Sequence, residues 1–141
     1  MPFWKLYYHM VWATKGREAL IQPRFEADLY RVIAGKAANL GGVVQAVGGI
    51  EDHVHLVVSV PPAVALSTFI GQVKGNSSHF VNHECGLDHA FAWQAEYGVL
   101  SFDAKKLDGI VKYVKAQREH HHGNTTIPIL ERASDDAALH Q

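Results

Sequence analysis

Two short stretches combine residue type and spacing in a way that suggests chemistry: His53-Val54-His55, and Tyr113 with Gln117 four residues later. Side chains two apart on a strand share a face, so both imidazoles can turn toward one divalent cation. Such a cation accepts nitrogen ligands when oxygen donors complete its shell. Residues four apart on a helix lie on one side, which would pair the Tyr113 phenol with the Gln117 amide oxygen. A phenol can attack phosphorus and hold the product as a phosphotyrosine, keeping the bond energy for a later rejoining step. Its ordinary pKa of about 10 means that it needs a cation or basic surroundings to do so. A metal on the non-bridging oxygens would polarise phosphorus and offset the developing charge. Lys105, Lys112, Lys115 and Arg118 surround the tyrosine in sequence and could steady a phosphate backbone without reading bases.

Each feature also has a plainer reading. The histidines could be a hydrogen-bonded pair opening a strand. Tyr113 lies about 110° from the centre of the stripe Leu107, Ile110, Val111 and Val114, which also suits packing at the rim of a core. A separate group, His79, His83, Cys85 and His89, offers the donors of a tetrahedral zinc site, although its spacing matches no common finger. The triplet His120-His121-His122 suits a helix C-terminus, where a protonated imidazole meets the helix dipole. His121 falls on the side of Gln117, which leaves an accessory role open.

The elements that must position these residues follow from periodicity. Residues 4–14 alternate Leu6, Tyr8, Met10 and Trp12 on one face of a strand. Pro23 begins a helix whose stripe is Phe25, Leu29, Val32, Ile33 and Leu40, stopped by Gly41-Gly42. Residues 43–50 and 53–60 are Val-rich strands joined tightly at Glu51-Asp52 and ended by Pro61-Pro62. A second helix carries Leu66, Phe69, Ile70, Val73, Phe80 and Val81, with a weak middle at residues 74–78. Residues 91–102 read as a last strand interrupted near Gly98, and 104–122 as a final helix closed by Gly123. This order is the split βαβ, ferredoxin-like plan: an α+β fold with an antiparallel sheet, helices on one face, and a C-terminal helix bearing the tyrosine.

With 141 residues, 48% of them apolar, one compact domain is expected, here residues 1–123, followed by a polar and loosely attached tail, 124–141. Lys and Arg total 13 against 14 Asp and Glu, a balance that does not suggest binding through net charge. The placement of those charges points the other way. Lys105, Lys106, Lys112, Lys115 and Arg118 form one basic stretch, while Glu131, Asp135 and Asp136 lie beyond it. Cys85 stands alone, which excludes an internal disulfide. No long apolar run and no signal-peptide pattern is present, so a cytoplasmic protein is expected.

Taken together, the segments YHMVWATKGR, GGIEDHVHLVVSVP, KGNSSHFVN, FAWQAEYGVLSF and YVKAQREHH resemble the single-tyrosine HUH transposases of bacterial and archaeal insertion sequences, with the related REP-associated tyrosine transposases. The resemblance runs from about Tyr8 to His121. It implies that Tyr113 is the nucleophile and that His53, His55 and Gln117 hold Mg²⁺ or Mn²⁺. It implies DNA transposition on single-stranded element ends marked by hairpins, cut to a 5′-phosphotyrosine and a free 3′-OH and then rejoined. It further implies a homodimer whose active sites are shared between subunits. Lys15, Arg17 and Lys74 become candidates for hairpin or strand contacts, and Trp93 for base stacking, packing in the sheet being its other reading. Two other functions stay open: a nucleic-acid-binding domain that does not cleave, repressor-like, and a small zinc-stabilised domain.

Overall fold

The computed structural model describes residues 2–134, so Asp135 and Asp136 of the acidic tail lie outside the described residues. The chain runs β1 (Tyr7–Ala13), α1 (Pro23–Asn39), β2 (Val43–Ile50), β3 (His53–Ser59), α2 (Leu66–Glu84), β4 (Gly98–Phe102), α3 (Leu107–Lys115), α4 (Gln117–His122) and α5 (Pro128–Glu131). The four strands form one antiparallel sheet in the order β2-β3-β1-β4, the ferredoxin-like arrangement.

Period two decides what each face of the sheet carries. Met10 and Trp12 of β1 and Val54, Leu56 and Val58 of β3 meet Phe25, Leu29 and Ile33 of α1 and Phe69, Ile70 and Val73 of α2 in the main core. The alternate residues, His9 on β1 and His53, His55 and Val57 on β3, must therefore face the other way. There the tyrosine helix covers them: Val114, Tyr113, Ala46, Val57 and Leu130 make a second, smaller core. Both sides of β3 are buried, which is why its sequence is apolar throughout the buried run except for the two histidines.

α3 can lie so close because β2 offers bare backbone. A Cβ built on Gly48 would stand 2.1 Å from the Val114 carbonyl oxygen. Gly48 pairs with His55 across the ladder, so this close approach also brings Tyr113 next to that imidazole. A corresponding contact holds the end of the described chain, where a Cβ on Gly98 would meet the Arg132 carbonyl oxygen at 1.9 Å.

The structure departs from the sequence-based expectations in three places. Residues 91–97 are not strand apart from a single bridge, Thr14 to Trp93. Their backbone is satisfied from α2 instead: the Lys74 ammonium donates to the carbonyls of Gln94 (2.6 Å), Ala95 (3.3 Å) and Glu96 (3.2 Å). Asn82 likewise brackets the peptide of Phe91 from both sides. α2 runs unbroken through its weak middle, where buried Ser77 donates to the Val73 carbonyl (2.7 Å) and accepts from the Trp93 indole (3.0 Å). Trp93 packs edge-on against Trp12 and Phe91, the packing reading of that residue.

The final helix is broken rather than continuous. A 3₁₀ turn at Ala104–Lys106 leads into α3, and Ala116 (φ −107, ψ 29) separates α3 from α4. The third departure is the tail. Residues 124–134 are docked, not loose, because Leu130 and Ala133 sink to 7% exposure and Thr125 returns a backbone hydrogen bond to His120. Among the described residues no helix is long and apolar enough to cross a membrane.

Gly48→Ala should force α3 off β2 and lower stability by about 1–3 kcal/mol, the usual cost of overpacking. Urea denaturation measures this, and an unchanged midpoint would mean that α3 is not seated on β2.

Candidate active site

β3 presents His53 and His55 to the face beneath α3, and both are essentially without solvent exposure. A buried imidazole needs a partner for each ring nitrogen, and the sheet supplies one for each inner nitrogen. The Asp52 carboxylate, in the β2–β3 turn, accepts from His53 Nδ1 at 2.7 Å. His9 Nε2, on β1, lies 2.8 Å from His55 Nδ1. Burial, and then the neighbouring His55, push His9 down to about 3, so it stays neutral and its Nε2 lone pair can accept the His55 Nδ1 proton. Both outer nitrogens are then turned toward α3 and the tail.

On the opposite side stand Tyr113, 4% exposed, and Gln117, 1% exposed, stacked on the same side of the α3–α4 helical run. Gln117 Oε1 lies 3.1 Å from His53 Nε2, and the Tyr113 ring sits edge-on to His55 with centroids 6.1 Å apart. The four residues singled out by type and spacing therefore converge. Within one chain the tyrosine arrives beside the histidines, so the constellation forms without a second subunit.

Sequence reading missed three members of this cluster. Glu131, at the end of α5, reaches its centre: Oε1 is 3.1 Å from His53 Nε2, 3.3 Å from His55 Nε2 and 3.0 Å from His121 Nε2. Its other oxygen accepts from the Tyr113 hydroxyl, which in turn accepts from the Ile127 N–H at 2.9 Å. His121 also approaches Gln117 Oε1 at 3.1 Å. Nothing in the polar tail announces Glu131. His9 did leave a signal, a polar residue on the strand face opposite Met10 and Trp12, and Asp52 was legible only as a turn residue.

The electrostatics are coupled. Burial works against ionising Glu131, but the His53 and His55 imidazoles that face it hold its carboxyl far below the usual range. Burial likewise opposes charge on His53, yet Asp52 and Glu131 raise it to about 9. His55 is pushed down by burial. Tyr113 is raised to about 12, by burial first and then by the Glu131 carboxylate that holds its proton. The phenol is thus a poor nucleophile until positive charge enters beside it.

The donors suit a cation. His53, His55 and Glu131 place one ligand atom each within 4.8 Å of one another, and among the described residues no other group of three or more His, Cys, Asp or Glu converges in this way. His55 Nε2 is fully buried and makes no aligned hydrogen bond, so its lone pair is open to a metal. The alternative zinc group does not assemble: His79 and His83 stack on each other at 4.0 Å, Cys85 is buried, and His89 pairs with Asp88.

The basic candidates are scattered around this centre. Lys105, Lys112 and Lys115 are exposed on and before α3, and Lys15 is exposed in a 3₁₀ turn after β1. Arg17 in the same turn lies 4.0 Å from Asp52. Arg118 pairs with Glu26 and with Glu51. Lys74 is committed to the loop carbonyls described above. Because Asp52 orients His53, Asp52→Asn should weaken Mn²⁺ binding by about tenfold or more, as losses of such supporting partners do. Calorimetric titration measures this, and an unchanged isotherm would remove His53 from the metal site.

Comparison with known proteins bears on the family and the fold. Residues 2–117, which include His53, His55, Tyr113 and Gln117, match the family model described as transposase IS200 like. The ISDra2 transposase TnpA of Deinococcus radiodurans is 26% identical over 121 residues, covering 82% of this chain and 86% of that protein. A crystal structure described as that of a transposase from Deinococcus radiodurans R1 superposes with a TM-score of 0.67 at 22% identity, covering 88% of this chain and 93% of the other. A REP-associated tyrosine transposase bound to a REP hairpin superposes at 0.62 with 14% identity, covering 89% and 76%. With most of its length matched, and the paired histidines and the tyrosine inside the matched span, the chain belongs to the IS200-like transposase family.

Proposed function

We propose that this chain cleaves and rejoins single-stranded DNA at hairpin-marked element ends, by metal-assisted transesterification through Tyr113. One observation carries the reading: a phenol, two imidazoles and an amide oxygen that are far apart in sequence meet in a single buried cluster. His53, His55 and Gln117 would hold Mg²⁺ or Mn²⁺, which when bound would polarise phosphorus and offset the charge developing on its oxygens. The Tyr113 oxygen attacks phosphorus, the bond to the 3′ oxygen breaks, and the products are a 5′-phosphotyrosine and a free 3′-OH. Attack by a 3′-OH on that phosphotyrosine reverses the step and restores the phenol, so no nucleotide is consumed.

His9 and Asp52 keep the two imidazoles oriented throughout. The phosphate reaches the buried phenol oxygen by displacing the Ile127 N–H that now caps it. Exposed Lys112 and Lys115 lie on the helix that delivers the tyrosine, with Lys105 in the turn before it, and all three would steady the strand by phosphate contacts. Lys15 and Arg17, in the turn after β1, are further candidates for phosphate contacts. The REP hairpin held by one structural relative supports a hairpin-bearing DNA partner. A homodimer exchanging tyrosine helices would rebuild the same constellation from two chains.

A second reading is favoured by the closed state of the phenol: the same sheet holds nucleic acid without cutting it. Incubating the protein with a hairpin-bearing oligonucleotide and Mg²⁺ or Mn²⁺ separates the two. The nuclease reading predicts a covalent protein–DNA adduct, absent in Tyr113→Phe while hairpin binding is largely retained. Metal-independent binding with no adduct under either ion would establish the non-cleaving alternative.

A further inference from the structure

Glu131 lies beyond the span that matches the family, on a tail segment whose composition suggests nothing but solvation. Its surroundings say otherwise. The segment is anchored on both sides of it, by Leu130 in the second core and by buried Ala133, and the Arg132 carbonyl rests on Gly98. The side chain is 18% exposed and its two oxygens are divided between two tasks. Oε1 faces the outer nitrogens of His53, His55 and His121, while Oε2 takes the Tyr113 hydroxyl and approaches Gln117 Nε2 at 3.3 Å.

We infer that Glu131 is a further ligand of the cation and, through its second oxygen, the group that fixes the nucleophile beside it. The inference rests on the nuclease reading for the identity of the nucleophile. Chemistry favours the assignment. His53, His55 and Gln117 are all neutral as ligands and include a single oxygen, whereas Mg²⁺ and Mn²⁺ are hard cations that prefer anionic oxygen. A carboxylate supplies both the missing charge and the missing donor. Holding the phenol with its other oxygen ties the position of the attacking atom to the position of the metal, which neither Tyr113 nor the histidines can do alone. The same carboxylate lies where it could instead exclude a cation, and the two roles have opposite signs.

The test uses the full chain and Mn²⁺, with free Mn²⁺ followed by its electron paramagnetic resonance signal, and adduct formation measured on the same preparations. Glu131→Gln should bind Mn²⁺ about tenfold or more weakly. Its adduct should still form slowly when Mn²⁺ is saturating, because the hold on the phenol is also lost. Glu131→Asp, which keeps the charge, should recover part of the affinity, whereas Tyr113→Phe should bind Mn²⁺ as the wild type does. A Glu131→Gln chain that binds Mn²⁺ as tightly as the wild type, or more tightly, overturns the inference; the latter result would make Glu131 a competitor of the cation. If the wild type binds Mn²⁺ but forms no adduct, the nuclease reading fails and the isotherms alone decide the ligand. A wild type that binds no Mn²⁺ overturns both.

Discussion

Two imidazoles buried side by side on one strand are the constraint around which the rest is arranged. Unpartnered polar groups in such a place cost several kcal/mol or more, so a fold that buries His53 and His55 must surround them with donors and acceptors. The partners come from four separate parts of the chain: His9 from β1, Asp52 from the β2–β3 turn, Gln117 from α4 and Glu131 from α5. The sheet order makes this possible, since β3 lies between β1 and β2 and its second face is open to whatever follows β4. Gly48 then lets the tyrosine helix settle directly onto that face.

The arrangement has an electrostatic consequence. Glu131 is ionised against a neutral phenol that it holds by hydrogen bonding, and burial first, then that carboxylate, make Tyr113 harder to deprotonate than a free tyrosine. In this arrangement the phenol keeps its proton, directed at the Glu131 carboxylate. Positive charge arriving between the imidazoles and the carboxylate would reverse that balance, because it would compete for the lone pairs that now hold the phenol's proton.

Much of this was legible from residue spacing. The alternation in β1 and β3 determined which side chains share a face, and the four-residue step from Tyr113 to Gln117 determined the pairing of phenol and amide. The break at Ala116 left that pairing intact, since α4 resumes on nearly the same side. What escaped was decided by tertiary contacts that leave no periodic trace. Residues 91–97 have the composition of a strand, but Lys74 and Asn82 satisfy their backbone from a helix. The tail is polar by composition, yet Leu130, Ala133 and the Glu131 carboxylate dock it, and no local rule predicts where such a short segment will land. His9 was visible as a polar residue on a strand face, and its purpose became clear only once β1 and β3 were known to be neighbours.

The central claim is that the Tyr113 phenol and the paired imidazoles occupy one pocket. Replacing the tyrosines with 3-fluorotyrosine and adding Mn²⁺ in small steps would read this directly by fluorine NMR, with the Tyr113 signal assigned by its loss in Tyr113→Phe. Paramagnetic broadening falls steeply with distance, so the Tyr113 resonance is expected to disappear at the first additions while that of Tyr97, beside Lys74, persists. A Tyr113 resonance that stays sharp while other tyrosines broaden would contradict the claim.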